Sequence, residues 1–348
     1  MKNYFLSSLT ARAAGYSLCA ALLLALAARP AAAQTIRRVN NTGISGPNIY
    51  NTIQAAHDAA AAGDIIQVEP SGVDYGFAII DKNVSIVGPG YFLDPTTQNV
   101  GLQANPLPAT LRQLFIKAGG AGAYIAGLTV GFYRVEASNV TIQRCRITQA
   151  LYVNDTGQNG TTAQTLTGII VKQNYIDART FISVNNFGVD NLLIVNNIFP
   201  NGTSLATNFN GGFFNNVVPL TAVNSVLNNF TVANNYFDAA LDGVGNTLSN
   251  NISASSSFPT TNGNQANVPQ SAVFVLAPGT TAFDGWYVLK SGTNPARGAG
   301  QGGTDVGIFG GNTPYKLGGL PAIPAIYQQT QTIVGNSLNV TLSVRSNN

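Results

Sequence analysis

Two aspartates form the best-spaced pair of carboxylates in this chain. Asp177 and Asp238 each stand three residues after a repeated asparagine, in Asn174-Tyr-Ile-Asp177 and Asn235-Tyr-Phe-Asp238, and Pro200 holds the same place after Asn197. If the repeats stack as strands, two rungs place the carboxyls roughly 9 to 10 Å apart, provided no further coil lies between them. That is at or beyond the upper limit for an acid and a base that hydrolyse a glycoside with inversion. The alternative role of a strand-end aspartate is to accept amide hydrogen bonds in a turn. Arg179, beside Asp177 at the start of a turn, is the cation to test as a base, against an exposed ion pair with Asp177. Alternation turns Arg144 and Arg146 away from the apolar sides of Ile142 and Ile147, onto a solvated face, and Lys172 is the remaining central cation.

Other chemistries have less to work with. Between Arg134 and Phe283 no two acids fall within three positions of each other, so no local carboxylate cluster for calcium exists there. His57 is the single histidine, which excludes a His-based metal site, and its place on a helix face gives it a structural reading. No Gly-rich loop precedes a helix to cradle a phosphate, and no cysteine cluster occurs, so neither a metal nor a nucleotide cofactor is expected. The loops do carry aromatics among amides. Tyr152, Phe213, Phe214 and Tyr236 are the candidates for stacking on the apolar face of a sugar, with core packing as the competing role.

The positioning frame is a recurrent phrase. An apolar β-branched or aliphatic residue is followed three positions later by Asn and five positions later by another apolar residue in Val171-Lys-Gln-Asn174-Tyr-Ile176, Ile194-Val-Asn-Asn197-Ile-Phe199 and Val232-Ala-Asn-Asn235-Tyr-Phe237, and Leu248-Ser-Asn-Asn251-Ile-Ser253 repeats it with Ser at the last place. In Ile142-Gln-Arg-Cys145-Arg-Ile147 a cysteine takes the Asn place, which reads as a small buried turn residue. Strand residues on both sides of one turn residue predict coils of a solenoid. The repeated Asn is then placed at a sharp bend that tolerates αL, bonded to its equivalents above and below. Cys145, Asn174, Asn197, Asn235 and Asn251 form that structural ladder, and their spacings of 29, 23, 38 and 16 residues predict long insertions after Thr148 and Pro200.

Composition agrees with an all-β chain. Charged residues are only 9% of the sequence and Asn is about as frequent as Gly, which occurs 37 times, so the surface is built from amides and hydroxyls. Residues 1–33 read as a secretory signal: Lys2 and Arg12, an apolar run from Ala13 to Ala28, then Ala31-Ala-Ala33 as the cleavage site. Its removal takes Lys2, Arg12 and Arg29 and no acid, so the formal charge falls from +3 to zero and Cys145 is left as the only cysteine. Neither nucleic acid nor an anionic membrane is an expected partner. Asn51 is placed to cap a helix over Thr52 to Ala62 ended by Gly63, covering the first coil. Beyond Gly311, Pro314, Pro321 and Pro324 punctuate a link, and strands around Gly335-Asn336 predict a hairpin over the last coil.

Two stretches carry a family resemblance. Thr52-Ile-Gln-Ala-Ala-His-Asp-Ala-Ala-Ala-Ala-Gly63-Asp64-Ile-Ile-Gln-Val68, with Asn83-Val-Ser-Ile-Val-Gly-Pro-Gly90, resembles the opening of secreted right-handed parallel β-helix proteins of the pectin-lyase-like superfamily. Tyr287-Val-Leu-Lys-Ser-Gly-Thr-Asn-Pro-Ala-Arg-Gly298 through Gly303-Thr-Asp-Val-Gly-Ile-Phe-Gly-Gly311 resembles its final coil. The resemblance implies a right-handed parallel β-helix over 34–313, followed by a capping tail over 314–348. It also implies two enzymatic possibilities: elimination from uronate polymers, which needs calcium or a cation on the uronate carboxylate plus a base, and glycoside hydrolysis. Calcium enters only with the first. Because no convergent charged set is visible, the expectation is a non-catalytic extracellular, periplasmic or cell-surface scaffold that contacts polysaccharide, with a lyase or hydrolase as the alternative.

Overall fold

The computed structural model describes residues 34–94, 99, 101–154, 165–177, 181–182, 187–205, 207–219, 224–276 and 284–347. Residues 1–33, expected to be a secretory signal, and Arg179 lie outside the described residues. Residues from Ile36 onward form one compact unit. Parallel strands dominate it, and the chain is an all-β solenoid-type stack. A 12-stranded parallel sheet runs from Ile49–Tyr50 and Ile36–Val39 through Ile65–Val68 to Thr247–Ser249. A second parallel sheet joins Phe77–Ile80, Thr110–Ile116, Thr129–Val135, Arg146–Val153 and Tyr175–Ile176. Single bridges Tyr175 to Ile198 and Ile198 to Val217 continue it into Tyr236–Phe237 and Ile252–Ser253.

Register turns alternation into columns. In the long sheet Ile66, Ile86, Ile125, Ile142, Val171 and Ile194 stack in line and are buried. Phe199, Phe213, Phe237 and Phe258 stack through the interior with centroids 5.7, 6.0 and 5.8 Å apart in turn. Phe258 belongs to the segment that closes the far end. At the near end helix α1, Ile53–Ala59, buries Ile53 and Ala56 in the same core. Its N-cap is Thr52, not Asn51: the Thr52 hydroxyl accepts from the Ala55 N–H at 3.1 Å. The helix ends at Ala59, short of Gly63, and the Lys82 ammonium donates to the carbonyls of His57, Asp58 and Ala60.

The corner between the two sheets holds the amide ladder. The Asn197 Oδ1 accepts from the N–H and the Nδ2 of Asn174, while its own Nδ2 donates to the Val171 carbonyl and to the Asn216 Oδ1, all at 2.9 to 3.0 Å. Every hydrogen-bonding site of the amide is thereby used. Asn216, Asn235 and Asn251 continue the pattern to Asn264, and Cys145 ends it by donating its N–H to the Asn174 Oδ1. Two expectations are corrected here. Asn216 is an additional rung, so the 38-residue gap after Pro200 contains a whole coil with rungs 19 residues apart. The αL residue is not the ladder Asn but the one before it: Arg144, Gln173, Asn196, Asn215, Asn234 and Asn250 have φ between 52° and 61°. An αL backbone there turns the chain sharply and leaves the next side chain pointing inward.

Residues 284–320 do not close the stack as a last coil. Residues 299–320 run back along its outside as a strap, antiparallel to the order of the coils, held by the αL side chains. The Asn250 Nδ2 donates to the Ala299 carbonyl, the Asn234 Oδ1 accepts from the Gln301 N–H, and the Asn196 Nδ2 donates to the carbonyls of Ile308 and Gly310. Gln173 reaches the Thr313 and Pro314 carbonyls and Arg144 the Leu320 carbonyl, and the Gly318 carbonyl accepts from the Tyr91 N–H. Beneath the strap lies a second apolar core, in which outward-facing Tyr175, Ile198, Val217, Tyr236 and Ile252 meet Phe274, Tyr287, Val306, Ile308 and Tyr315. The predicted hairpin does form, from Ala325–Val334 and Ser337–Arg345. Its base is attached to early coils and not to the last one, through Ala104 N–H to the Ile326 carbonyl and Arg345 to the Leu102 carbonyl.

Replacing Asn216 by Ala strands donors on Asn197 and the carbonyl of Ile194 in a dry interior. Denaturant unfolding is expected to show a loss of at least about 3 kcal/mol, against under about 0.5 kcal/mol for exposed Asn312→Ala. The strap is expected to loosen separately. In an Asn196→Gly, Asn234→Gly double variant, which keeps the αL turns, amide exchange of Gln301 and Gly307 should quicken roughly tenfold or more while ladder amides stay protected. Equal quickening of both sets would show that strap and ladder open as one unit.

Candidate functional site

The paired-carboxylate site does not assemble. With the Asn216 coil counted, Asp177 and Asp238 are three rungs apart, or about 14 Å, beyond the separation for either glycosidase mechanism. Each also has a local partner. The Arg146 Nε donates to the Asp177 Oδ2 at 3.0 Å, and the guanidinium lies 4.7 Å over the Phe92 ring. Burial raises the Asp177 carboxyl, against the pull of Arg146. The Tyr236 hydroxyl donates to the Asp238 Oδ1 at 3.1 Å. Arg144 is not on a solvated face: it is 5% exposed, held under the strap by the Gln173 Oε1 and two carbonyls, and burial lowers its pKa.

His57 and Cys145 have structural surroundings. The His57 Nε2 accepts from the Asp81 N–H at 3.2 Å, and the ring is buried between α1 and the end of the strand Phe77–Ile80. Burial pushes the Cys145 thiol up to about 11, which leaves it protonated and unreactive at neutral pH. Among the described residues no group of three or more His, Cys, Asp or Glu side chains is placed to hold a metal ion.

Of the four aromatics expected to meet a sugar, Phe213 and Tyr236 have no exposed surface. The first stacks in the interior and the second packs edge-on against Phe274 under the strap. Phe214 is half-buried, with its ring laid over Gly212, where an added Cβ would come within 2.2 Å of it. Tyr152 is placed differently. In the first coils the second sheet extends past the strap, and its outward positions form two columns: Phe77, Gln113, Phe132, Ala150 and Ile79, Phe115, Arg134, Tyr152. The inward alternates Ala78, Leu114, Tyr133 and Leu151 are buried, which fixes the orientation of the rest.

This outer face is flat, aromatic and cationic. The Phe132 and Tyr152 rings stack at 6.3 Å and 17°, the Arg134 guanidinium lies 5.2 Å over Tyr152, and Lys117 lies 5.5 Å from the Phe115 centroid. Phe77 is 42% exposed beside them. At the adjacent bulge a shallow cavity of ≈ 480 Å³ is lined by Asp74, Thr110, Arg112, Gly131, Thr148 and Gln149, among others. Gly131 is required there, since a Cβ would stand 2.5 Å from the Arg112 carbonyl oxygen. Stacked rings with a planar guanidinium and amides suit the apolar face and the hydroxyls of a sugar. Sequence reading found Tyr152 but missed Phe132 and Arg134, although Phe132-Tyr-Arg134 alternates in period two beside it.

Asp284 was also missed. It has no exposed surface, and it accepts from the Asn99 Nδ2, the Gly285 N–H and, at 2.7 Å, the Gly318 N–H, fastening the end of the strap. No protein-family model matches the chain, and no curated protein or solved structure shows a significant match to it. Among the described residues no helix is long and apolar enough to cross a membrane.

Burial raises the Asp284 carboxyl above its ordinary value, against three N–H donors. The folded chain then holds this proton more tightly than the unfolded chain does. The stability it contributes is present below the unfolded value of about 3.9 and is lost as pH rises through the raised value. The unfolding midpoint is expected to fall with pH across that window, and Asp284→Asn to flatten the fall. A slope unchanged in the variant would assign it to Asp177, which is raised in the same direction.

Proposed function

We propose that the chain is a right-handed parallel β-helix of the pectin-lyase-like type, exported by residues 1–33. Its proposed role is a non-catalytic extracellular or cell-surface scaffold that contacts polysaccharide. The observation that carries this reading is the contrast between its charged and aromatic groups. Asp177, Asp238 and Asp284 are each bound into the architecture, whereas Phe132, Tyr152 and Arg134 are half-buried at outward positions of the second sheet. Rings carried on adjacent strands offer a platform to a linear glycan, beside the polar cavity at the bulge. Handedness is part of the proposal, supported by the parallel stacking and by the strong preference of parallel crossovers for the right-handed form.

The test is incubation of the purified protein with acidic and neutral polysaccharides, with and without calcium, followed by unsaturated-uronate absorbance, new reducing ends and affinity electrophoresis. The expected result is retardation without product, weakened about tenfold in Tyr152→Ala, in line with the loss of one stacked aromatic contact. Product from any polymer would replace the scaffold with a polysaccharide lyase or glycoside hydrolase, and its loss in Arg179→Ala or Asp177→Ala would locate the site.

A further inference from the structure

The hairpin Ala325–Val334 and Ser337–Arg345 is a two-stranded ribbon with no third strand on either edge among the described residues. Its cross-strand register puts Ile333 opposite Leu338, Gln331 opposite Val340, Gln329 opposite Leu342 and Ile326 opposite Val344. These pairs share one face, and Thr330, Thr332, Asn339, Thr341 and Ser343 occupy the other. The apolar face is uncovered: Ile333 is 78% exposed, Leu338 60%, Leu342 50% and Val344 56%. From Ala325 to Val344 there is no charged residue and no proline, so the edges lack the devices that keep exposed strands from pairing. A two-stranded ribbon of this kind is marginal in water on its own. Its base is nonetheless fixed, by Arg345 on the Leu102 carbonyl and by Ala104 on the Ile326 carbonyl, which holds the apolar face in one orientation to the stack.

We propose that this face docks the same face of a second copy of the chain. The partner must be apolar where this ribbon is apolar and must bring no charge against its edges, and a second ribbon meets both conditions. Two faces about 33 Å long and two strands wide bury on the order of 600 Å² together, roughly half of the smallest standard interface. The association is therefore weak and concentration-dependent, unlike an obligate dimer. End-to-end stacking through the near end is not the route, since α1 covers it.

Sedimentation equilibrium from about 1 µM to about 500 µM is expected to show reversible dimerisation in the micromolar range or weaker. Leu338→Lys and Leu342→Lys each lie at exposed positions and should return the protein to monomer with the solenoid's circular dichroism unchanged. Thr341→Lys, on the opposite face, should leave dimerisation within about twofold. The proposal is overturned if the wild type is monomeric throughout, if the two leucine variants dimerise like the wild type, or if Thr341→Lys abolishes dimers equally, which would indicate edge pairing. It is also overturned if a monomeric wild type floats with phosphatidylcholine vesicles and Leu342→Lys does not, which would make the occupant a lipid surface.

Discussion

A buried amide is tolerated only when all of its hydrogen-bonding sites are met, and this chain buries a column of them. Asn174, Asn197, Asn216, Asn235 and Asn251 satisfy one another only if each coil repeats at the strand spacing, with each side chain directly above the last. That requirement fixes the register of both sheets at their shared corner. It also demands a one-residue turn, supplied by the αL residue that precedes each rung. Slipping one coil so that the residue after a rung took its place would replace a buried amide by Tyr, Ile or Val and strand its neighbours on both sides.

The turn that satisfies the inside creates the outside. Once Gln173, Asn196, Asn215, Asn234 and Asn250 take αL conformations, their side chains project from the corner in a row and present amides to the backbone of the strap. The residue after each rung faces out of the second sheet, and at Tyr175, Ile198, Val217, Tyr236 and Ile252 it is apolar. Those positions need a cover, and the strap supplies one. In the earlier coils the equivalent places are Thr110, Thr129 and Arg146, polar residues that need none.

The repeat was legible because a short alternating motif around Asn is local in sequence. Asn216 escaped it because the residue three before is Phe213, an aromatic in the column that otherwise holds β-branched and aliphatic residues, and Asn264 escaped because that place is taken by Thr261. Counting only the recognisable rungs brought Asp177 and Asp238 one coil too close. The strap was not legible at all. Its hold comes from the backbone carbonyls of a Gly-rich segment, which leave no side-chain pattern, and its partners lie up to 176 residues away. The same blindness put Arg144 in solvent, since alternation reports which way a side chain points but not what later arrives to cover it. The cap helix was placed correctly in kind, and its N-cap was one residue off because Asn51 and Thr52 are both competent caps.

The strap also measures the stack. Its contacts fall in order, from Ala299 at Asn250 through Gln301, Ile308 and Thr313 to Leu320 at Arg144. A chain with one coil deleted or left unfolded would bring these carbonyls out of phase with the row of amides from that point on. Because the strap is synthesised after the coils it grips, it can seat only on a stack that already has its full complement of turns. The C-terminal segment thus serves as a ruler for the solenoid, and a natural variant that gains or loses a coil should carry a matching change of length between Gly298 and Leu320.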